Sequence, residues 1–127
     1  MKKLLVIIFV GITFSLNASS ILIPMDNSQT DHLKAYGISY WVLQKDIEVD
    51  WLLNYRGGSF MFKYYQDFEN ELIIRGVSYQ VISDAEANQI LSEIASPSSN
   101  MDAMKLEKVP KIAVYSPKSK QPWDDAV

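Results

Sequence analysis

Short apolar runs alternate along this chain with segments of helical period, and that alternation predicts its elements. Ile21-Leu22-Ile23 is a compact apolar run closed by Pro24 and by Asp26-Asn27-Ser28, which reads as a first strand. Ser28 and Asp31, three apart, form a capping-box pattern whose hydroxyl and carboxylate satisfy free N–H groups, so a helix is predicted over 29–44. Leu33, Tyr36, Tyr40 and Leu43 make its inner stripe, with Ile38, Trp41 and Val42 on the flank. Gly37 inside it costs ~1 kcal/mol against alanine and points to close approach by another backbone. A second strand is predicted over 49–55, with Trp51, Leu52 and Leu53 wanting burial on both faces.

After the Arg56-Gly57-Gly58-Ser59 break, apolar residues recur at Phe60, Tyr64, Phe68 and Leu72, a spacing near four that predicts a helix over 60–75 with an aromatic inner face. Gly76 is placed to stop it in the left-handed conformation. A strand follows over 77–82. Asp84 caps a helix over 85–95, with Ala87, Ile90, Leu91 and Ile94 facing inward. Ser96-Pro97-Ser98-Ser99-Asn100 opens a linker over 97–110, and Lys111-Ile112-Ala113-Val114-Tyr115 reads as a fourth strand. Pro122 followed by Asp124-Asp125 begins a further helix, and the chain stops one turn into it at Val127, as the N-terminal part of a longer protein would. Strands separated by helices predict a three-layer α/β fold around a mostly parallel sheet of βα units, flavodoxin-like and incomplete at its C-terminus. The α/β domain is expected over 21–96, with a truncated βα unit over 111–127.

Ahead of the first strand, Lys2-Lys3 precedes an apolar run over 4–14, broken only by Gly11 and Thr13, and then a small, polar close. This is the pattern of a secretory leader over residues 1–20. Its apolar run is about half of the ~20 residues a membrane-spanning helix needs. Ala18 and Ser20 suit the −3 and −1 positions of a cut before Ile21, with a cut after Ala18 as the alternative. With no cysteine there is no lipid attachment, so no membrane anchor remains after cleavage, and the product is expected in the periplasm or outside the cell.

Composition narrows the chemistry. Of 127 residues 48% are hydrophobic and 21% charged, which suits one packed core. Lys+Arg is 12 against 15 Asp+Glu, and loss of Lys2 and Lys3 with the leader leaves 10 against 15, which argues against nucleic acid as a partner. The absence of cysteine removes disulfides and cysteine nucleophiles. Nothing implies a cofactor, and no cluster of metal-ligating residues is present.

In parallel α/β sheets ligands bind beyond the carboxyl ends of the strands, so Asp26, Arg56-Gly57-Gly58-Ser59, Ser83-Asp84, and Ser116, Lys118 and Lys120 are expected to share one rim. On one reading Gly57 and Gly58 present backbone N–H groups to a small anionic ligand, and Arg56 adds a bidentate donor. On the other, Gly57-Gly58 is a tight turn with Ser59 as helix N-cap. His32, the one histidine, stands near a helix start with no partner nucleophile. The carboxylates Glu69 and Glu71, and Asp124 and Asp125, read as solvated faces or caps rather than acid–base pairs. The aromatic set Tyr36, Tyr40, Trp41, Trp51, Tyr55, Phe60, Phe62, Tyr64, Tyr65 and Phe68 reads as core, with a ring-binding pocket as the alternative.

On the runs Ile21-Leu22-Ile23-Pro24-Met25-Asp26, His32-Leu33-Lys34-Ala35-Tyr36-Gly37, Asp50-Trp51-Leu52-Leu53-Asn54-Tyr55-Arg56-Gly57-Gly58-Ser59-Phe60 and Lys111-Ile112-Ala113-Val114-Tyr115-Ser116-Pro117, the chain resembles exported bacterial proteins labelled asparagine synthetase B. The resemblance covers nearly all of the chain after the leader, and members of that family continue past Val127. Its strand-then-Gly-Gly pattern is similar to class I glutamine amidotransferase-like domains, where a Gly-Gly backbone supplies oxyanion donors. That likeness implies an amidotransferase-like form of the α/β fold, and an oxyanion role for Gly57 and Gly58 alone. The nucleophile elbow and its His-Glu partners have no counterpart here, and position 2 holds Lys2 where a synthetase carries its cysteine. Two functions follow as expectations: an exported binding or support domain, or the N-terminal part of an amidotransferase-like or asparagine synthetase-type enzyme whose catalytic residues lie beyond residue 127.

Overall fold

The computed structural model describes residues 18–113. Most of the expected leader, Val114 and Tyr115 of the expected fourth strand, and the helix start at Pro122 lie outside the described residues; 111–113 form no regular element. In chain order the elements are β1 (Ser19–Ile23), α1 (His32–Gln44), β2 (Val49–Leu53), β3 (Ser59–Lys63), α2 (Gln66–Arg75), β4 (Gln80–Ser83), α3 (Asp84–Ile94) and β5 (Asp102–Leu106). The strands form one open sheet in the order β4-β1-β3-β2-β5, and every neighbouring pair is antiparallel. The expected mostly parallel, three-layer sheet of βα units is therefore wrong, and with it the amidotransferase-like or flavodoxin-like fold.

The error traces to residues 59–63. Phe60, Met61 and Phe62 are all buried, Phe60 and Phe62 toward α1 and α2 and Met61 toward α3, which is the signature of a central strand. A short apolar run of that kind cannot be told from buried helix by period alone, and Phe60 and Tyr64 fall by coincidence on the helical spacing of Phe68 and Leu72. Once 59–63 is a strand, the five residues 54–58 between β2 and β3 leave no room for a crossover, and only an antiparallel hairpin can form. β3 then sits between β1 and β2. The first six elements take the order βαββαβ with strands 4-1-3-2, the split βαβ arrangement known as ferredoxin-like; α3 and β5 extend it.

One face of the sheet packs Ile21, Ile23, Val49, Phe60 and Phe62 under Ala35, Ile38 and Val42 of α1 and Phe68 and Leu72 of α2. The other packs Leu22, Leu52, Met61 and Ile82 under Ala87 and Ile94 of α3, with Ile90 and Leu91 partly buried beside them. Burying each of the large apolar side chains contributes roughly 1.5–3 kcal/mol. α1 is turned relative to the predicted stripe: Leu43 and the flanking Ile38 and Val42 are buried as expected, joined by Ala35 and Ser39, while Leu33, at 83%, and Tyr36 and Tyr40 are exposed. β5 runs through the stretch expected as linker. It is an edge strand with Asp102, Ala103, Met104 and Lys105 exposed, so it carries no hydrophobic signature and is held by its ladder to β2.

The helix ends show which local signals operate. Asp31 caps α1 by accepting from Lys34 N at 3.0 Å, and Ser28 turns instead to Asp26. Gly76 ends α2 in the left-handed region, as its position predicts. Ser83, not Asp84, caps α3 in a reciprocal box with Glu86. Gly37 has open space where a side chain would stand, so no backbone approaches it. Gly37→Ala is accordingly expected to raise the unfolding free energy by ~0.5–1 kcal/mol in a denaturant titration; a loss of stability would restore a packing role for this glycine.

Candidate functional site

Because β1 and β2 run one way and β3, β4 and β5 the other, the expected rim is divided. Asp26, after β1, and the 54–58 turn share one end of the sheet with the start of β4. Ser83-Asp84 closes β4 at the opposite end. Ser116, Lys118 and Lys120 lie outside the described residues. What the fold brings together are Asp26 and Arg56, joined by two residues that the pattern did not single out as ligands, Ser28 and Gln80.

The turn is built around unusual backbone angles. Asn54, Arg56, Gly57 and Gly58 all have positive φ, at 61°, 45°, 83° and 93°. For Arg56 that conformation costs about 1–3 kcal/mol and persists only where the surroundings enforce it. They do so: the Arg56 carbonyl accepts from Met25 N at 3.0 Å, and the Tyr55 carbonyl accepts from both Gly58 N and Ser59 N at 3.0 Å. At Gly57 a β-carbon would collide with the Met25 carbonyl, so the turn lies flat against the loop after β1. At Ser59, fully buried, the hydroxyl donates to the Tyr55 carbonyl at 3.0 Å. A strand, not a helix, follows Gly58, so there is no helix N-terminus for Ser59 to cap and no nest at one. Gly58 N is turned into the hairpin itself.

Arg56 is anchored on three sides. Its Nε donates to Asp26 Oδ2 at 2.8 Å, one terminal nitrogen to Gln80 Oε1 at 3.1 Å and the other to Ser28 Oγ at 3.2 Å. Asp26 Oδ1 accepts from the Ser28 hydroxyl and, at 3.0 Å, from Ser28 N. These bonds, from Ser28 first and Arg56 next, hold the Asp26 carboxyl down at about 2 against its usual 3.8. The guanidinium is thus neutralised by its own partner. The cluster ties the end of β1, the β2–β3 turn and the start of β4 together across sequence gaps of 30 and 24 residues.

A second latch lies beside it. Gln29, buried, donates to the Pro24 and Ser78 carbonyls at 2.8 and 3.0 Å and accepts from Ser78 N at 2.9 Å. No local pattern marks it, because its partner Ser78 is 49 residues away. His32 Nε2 lies 3.1 Å from the Met25 carbonyl oxygen. Glu69 and Glu71 are separated in role: Tyr64 and Tyr79 donate to Glu69 and hold its carboxyl below the usual range, while Glu71 pairs with Arg75 one helical turn on. Asp124 and Asp125 lie outside the described residues.

The aromatic set divides. Phe60, Phe62 and Phe68 are core, with Trp41 and Phe62 edge-on to Phe68. Tyr36 and Trp51 contact Phe60 and, with Tyr40, Leu43 and Leu106, line an apolar groove of about 520 Å³ between α1 and the β2–β5 edge. Comparison with family models, with curated proteins and with solved structures finds no match to this chain.

Two outcomes check this geometry. Asp26→Asn is expected to lower the thermal midpoint near neutral pH. Because folding depresses the Asp26 pKa, the stability it contributes is complete above pH of about 4 and disappears as the pH falls toward 2, so the gap between variant and wild type closes over that window. A gap unchanged at pH 2 rules out the carboxylate as its source. Gly57→Ala, strained in φ and colliding with Met25, is expected to cost ~1–3 kcal/mol in chemical denaturation; a neutral result refutes the close approach.

Proposed function

We propose that this chain acts outside the cytoplasm as a binding or support module and is not itself a catalyst. The observation that carries the reading is the closure of the Asp26–Ser28–Arg56–Gln80 cluster on itself. A catalytic or ligand-gripping arginine is held in place by neighbours while its charge stays available to the substrate. Here the guanidinium faces a carboxylate 2.8 Å away, and a neutral pair attracts an anion only weakly. The backbone donors on which an oxyanion role depends, at Gly57 and Gly58, belong to a hairpin. His32 faces a backbone carbonyl rather than a hydroxyl nucleophile. Export rests on the leader pattern of residues 1–20 and on the resemblance to exported proteins labelled asparagine synthetase B, and it is part of the same proposal.

Thermal unfolding of Arg56→Ala with and without inorganic phosphate decides between a latch and an anion site. For a latch, the variant melts several degrees below wild type and phosphate shifts neither protein. A phosphate-dependent rise in the wild-type midpoint that Arg56→Ala abolishes, with the phosphate-free midpoints equal, overturns the support reading in favour of an anion-binding rim.

A further inference from the structure

We propose that the leader is removed between Ala18 and Ser19, so that the mature chain begins at Ser19. The inference rests on the export reading above and adds the site of processing. Ala18 and Ser20 suit the −3 and −1 positions of a cut before Ile21, Ala18 also suits the −1 position of a cut after itself with Leu16 at −3, and side-chain size near the cut does not by itself settle which is used. The fold does. β1 begins at Ser19, where it pairs with Ser83 of β4, and Ser20 pairs with Ile82 on one side and Lys63 of β3 on the other. The Ser19 carbonyl also accepts from Tyr64 N at 2.9 Å, tying β1 to the residue that leaves β3. β1 lies between two neighbours. A cut after Ser20 removes two of its five residues and leaves Tyr64 N and the adjoining ladder groups of β3 and β4 without their partners.

A cut after Ala18 keeps all of this. Among the described residues the backbone bond it gives up is from Asp84 N to the Ala18 carbonyl, at 3.2 Å, and Asp84 is an exposed residue in the first turn of α3, where water replaces the acceptor. Hydrolysis by a leader peptidase takes one water: the hydroxyl goes to the Ala18 carbonyl carbon, which leaves with the leader as a carboxylate. The nitrogen of Ser19 takes the other proton of that water and the one the new carboxyl group gives up, and becomes the α-ammonium. Ser19 lines a groove of about 610 Å³ whose charged lining is Asp46, Glu48, Asp50, Asp84 and Lys63, with Lys105 paired to Glu48 beside it, so the new positive charge arises where carboxylates outnumber cations.

The test expresses the full 127-residue chain with its leader in an exporting bacterial host and determines the N-terminus of the released product by intact mass and terminal sequencing. A product that starts at Ser19 is expected. A product that starts at Ile21, or at any other residue beyond the leader, overturns the site while leaving export intact. Protein that keeps its leader and stays in the cytoplasm overturns the export reading and the site with it. A second measurement compares purified chains released from a tag to begin at Ser19 or at Ile21. The Ile21 chain is expected to melt several degrees lower or to fail to fold, and equal midpoints overturn the argument from β1.

Discussion

Five residues between β2 and β3 fix the architecture. A connection over 54–58 closes a hairpin and cannot carry a crossover helix, so β3 returns alongside β2. That return places Phe60 and Phe62 under α1 and α2 and Met61 under α3, and it makes β3 the strand around which both cores are built. β1 and β2, linked through α1, run in the same direction but do not touch; β3 lies between them and bonds both. The unusual backbone of the turn follows from the same constraint. Four residues with positive φ fit in five positions because Gly57 lies against the Met25 carbonyl and Arg56 is clamped from three sides.

The same constraint decides where chemistry can gather. In a parallel sheet every strand would deliver its trailing loop to one rim, and Asp26, Arg56 and Asp84 would meet there. In an antiparallel sheet the trailing loops alternate ends, and only Asp26 and Arg56 meet. Their meeting is stabilising in its own right: Arg56 links Asp26 and Ser28 to Gln80 of β4, and Gln29 beside them bonds Ser78 just ahead of β4, so the β1–α1 loop is held there by two polar ties. Such ties between loops suit a chain that has no cysteine and holds its core by packing and hydrogen bonds.

How much of this was legible follows from the range of each interaction. β1, the positions of α1 and α3 and the stop at Gly76 rest on contacts within a turn or two, and the pattern of Ile21-Leu22-Ile23 or Ala87-Ile90-Leu91-Ile94 carries them. β3 was hidden because a strand buried on both faces loses the alternation that marks a strand. β5 was hidden for the opposite reason: Asp102 to Lys105 are exposed, and the strand exists through backbone pairing with β2, which leaves no trace in side-chain type. The pairing of Asp26 with Arg56 spans 30 residues, so both residues were visible as polar punctuation while their partnership was not.

The position of α3 sets which parts of the sheet are open to solvent. In a βαββαβ sheet with both crossover helices on one face, the other face is free unless something covers it. Here its apolar half, Leu22, Leu52, Met61 and Ile82, lies under Ala87 and Ile94. The rest of that face is charged, with Lys105 paired to Glu48 at 3.0 Å and Asp50 beside them, its carboxyl pushed up by burial. A flat apolar platform of the kind a sheet offers to a ring or a peptide is therefore absent among the described residues, and what α3 leaves uncovered are the ends and edges of the sheet. At the edges, β4 is four residues long and β5 carries Lys105, two devices that blunt strand-to-strand association. Among the described residues an aromatic groove beside Leu106 stays uncovered, and it opens where β5 gives way to residues 107–113.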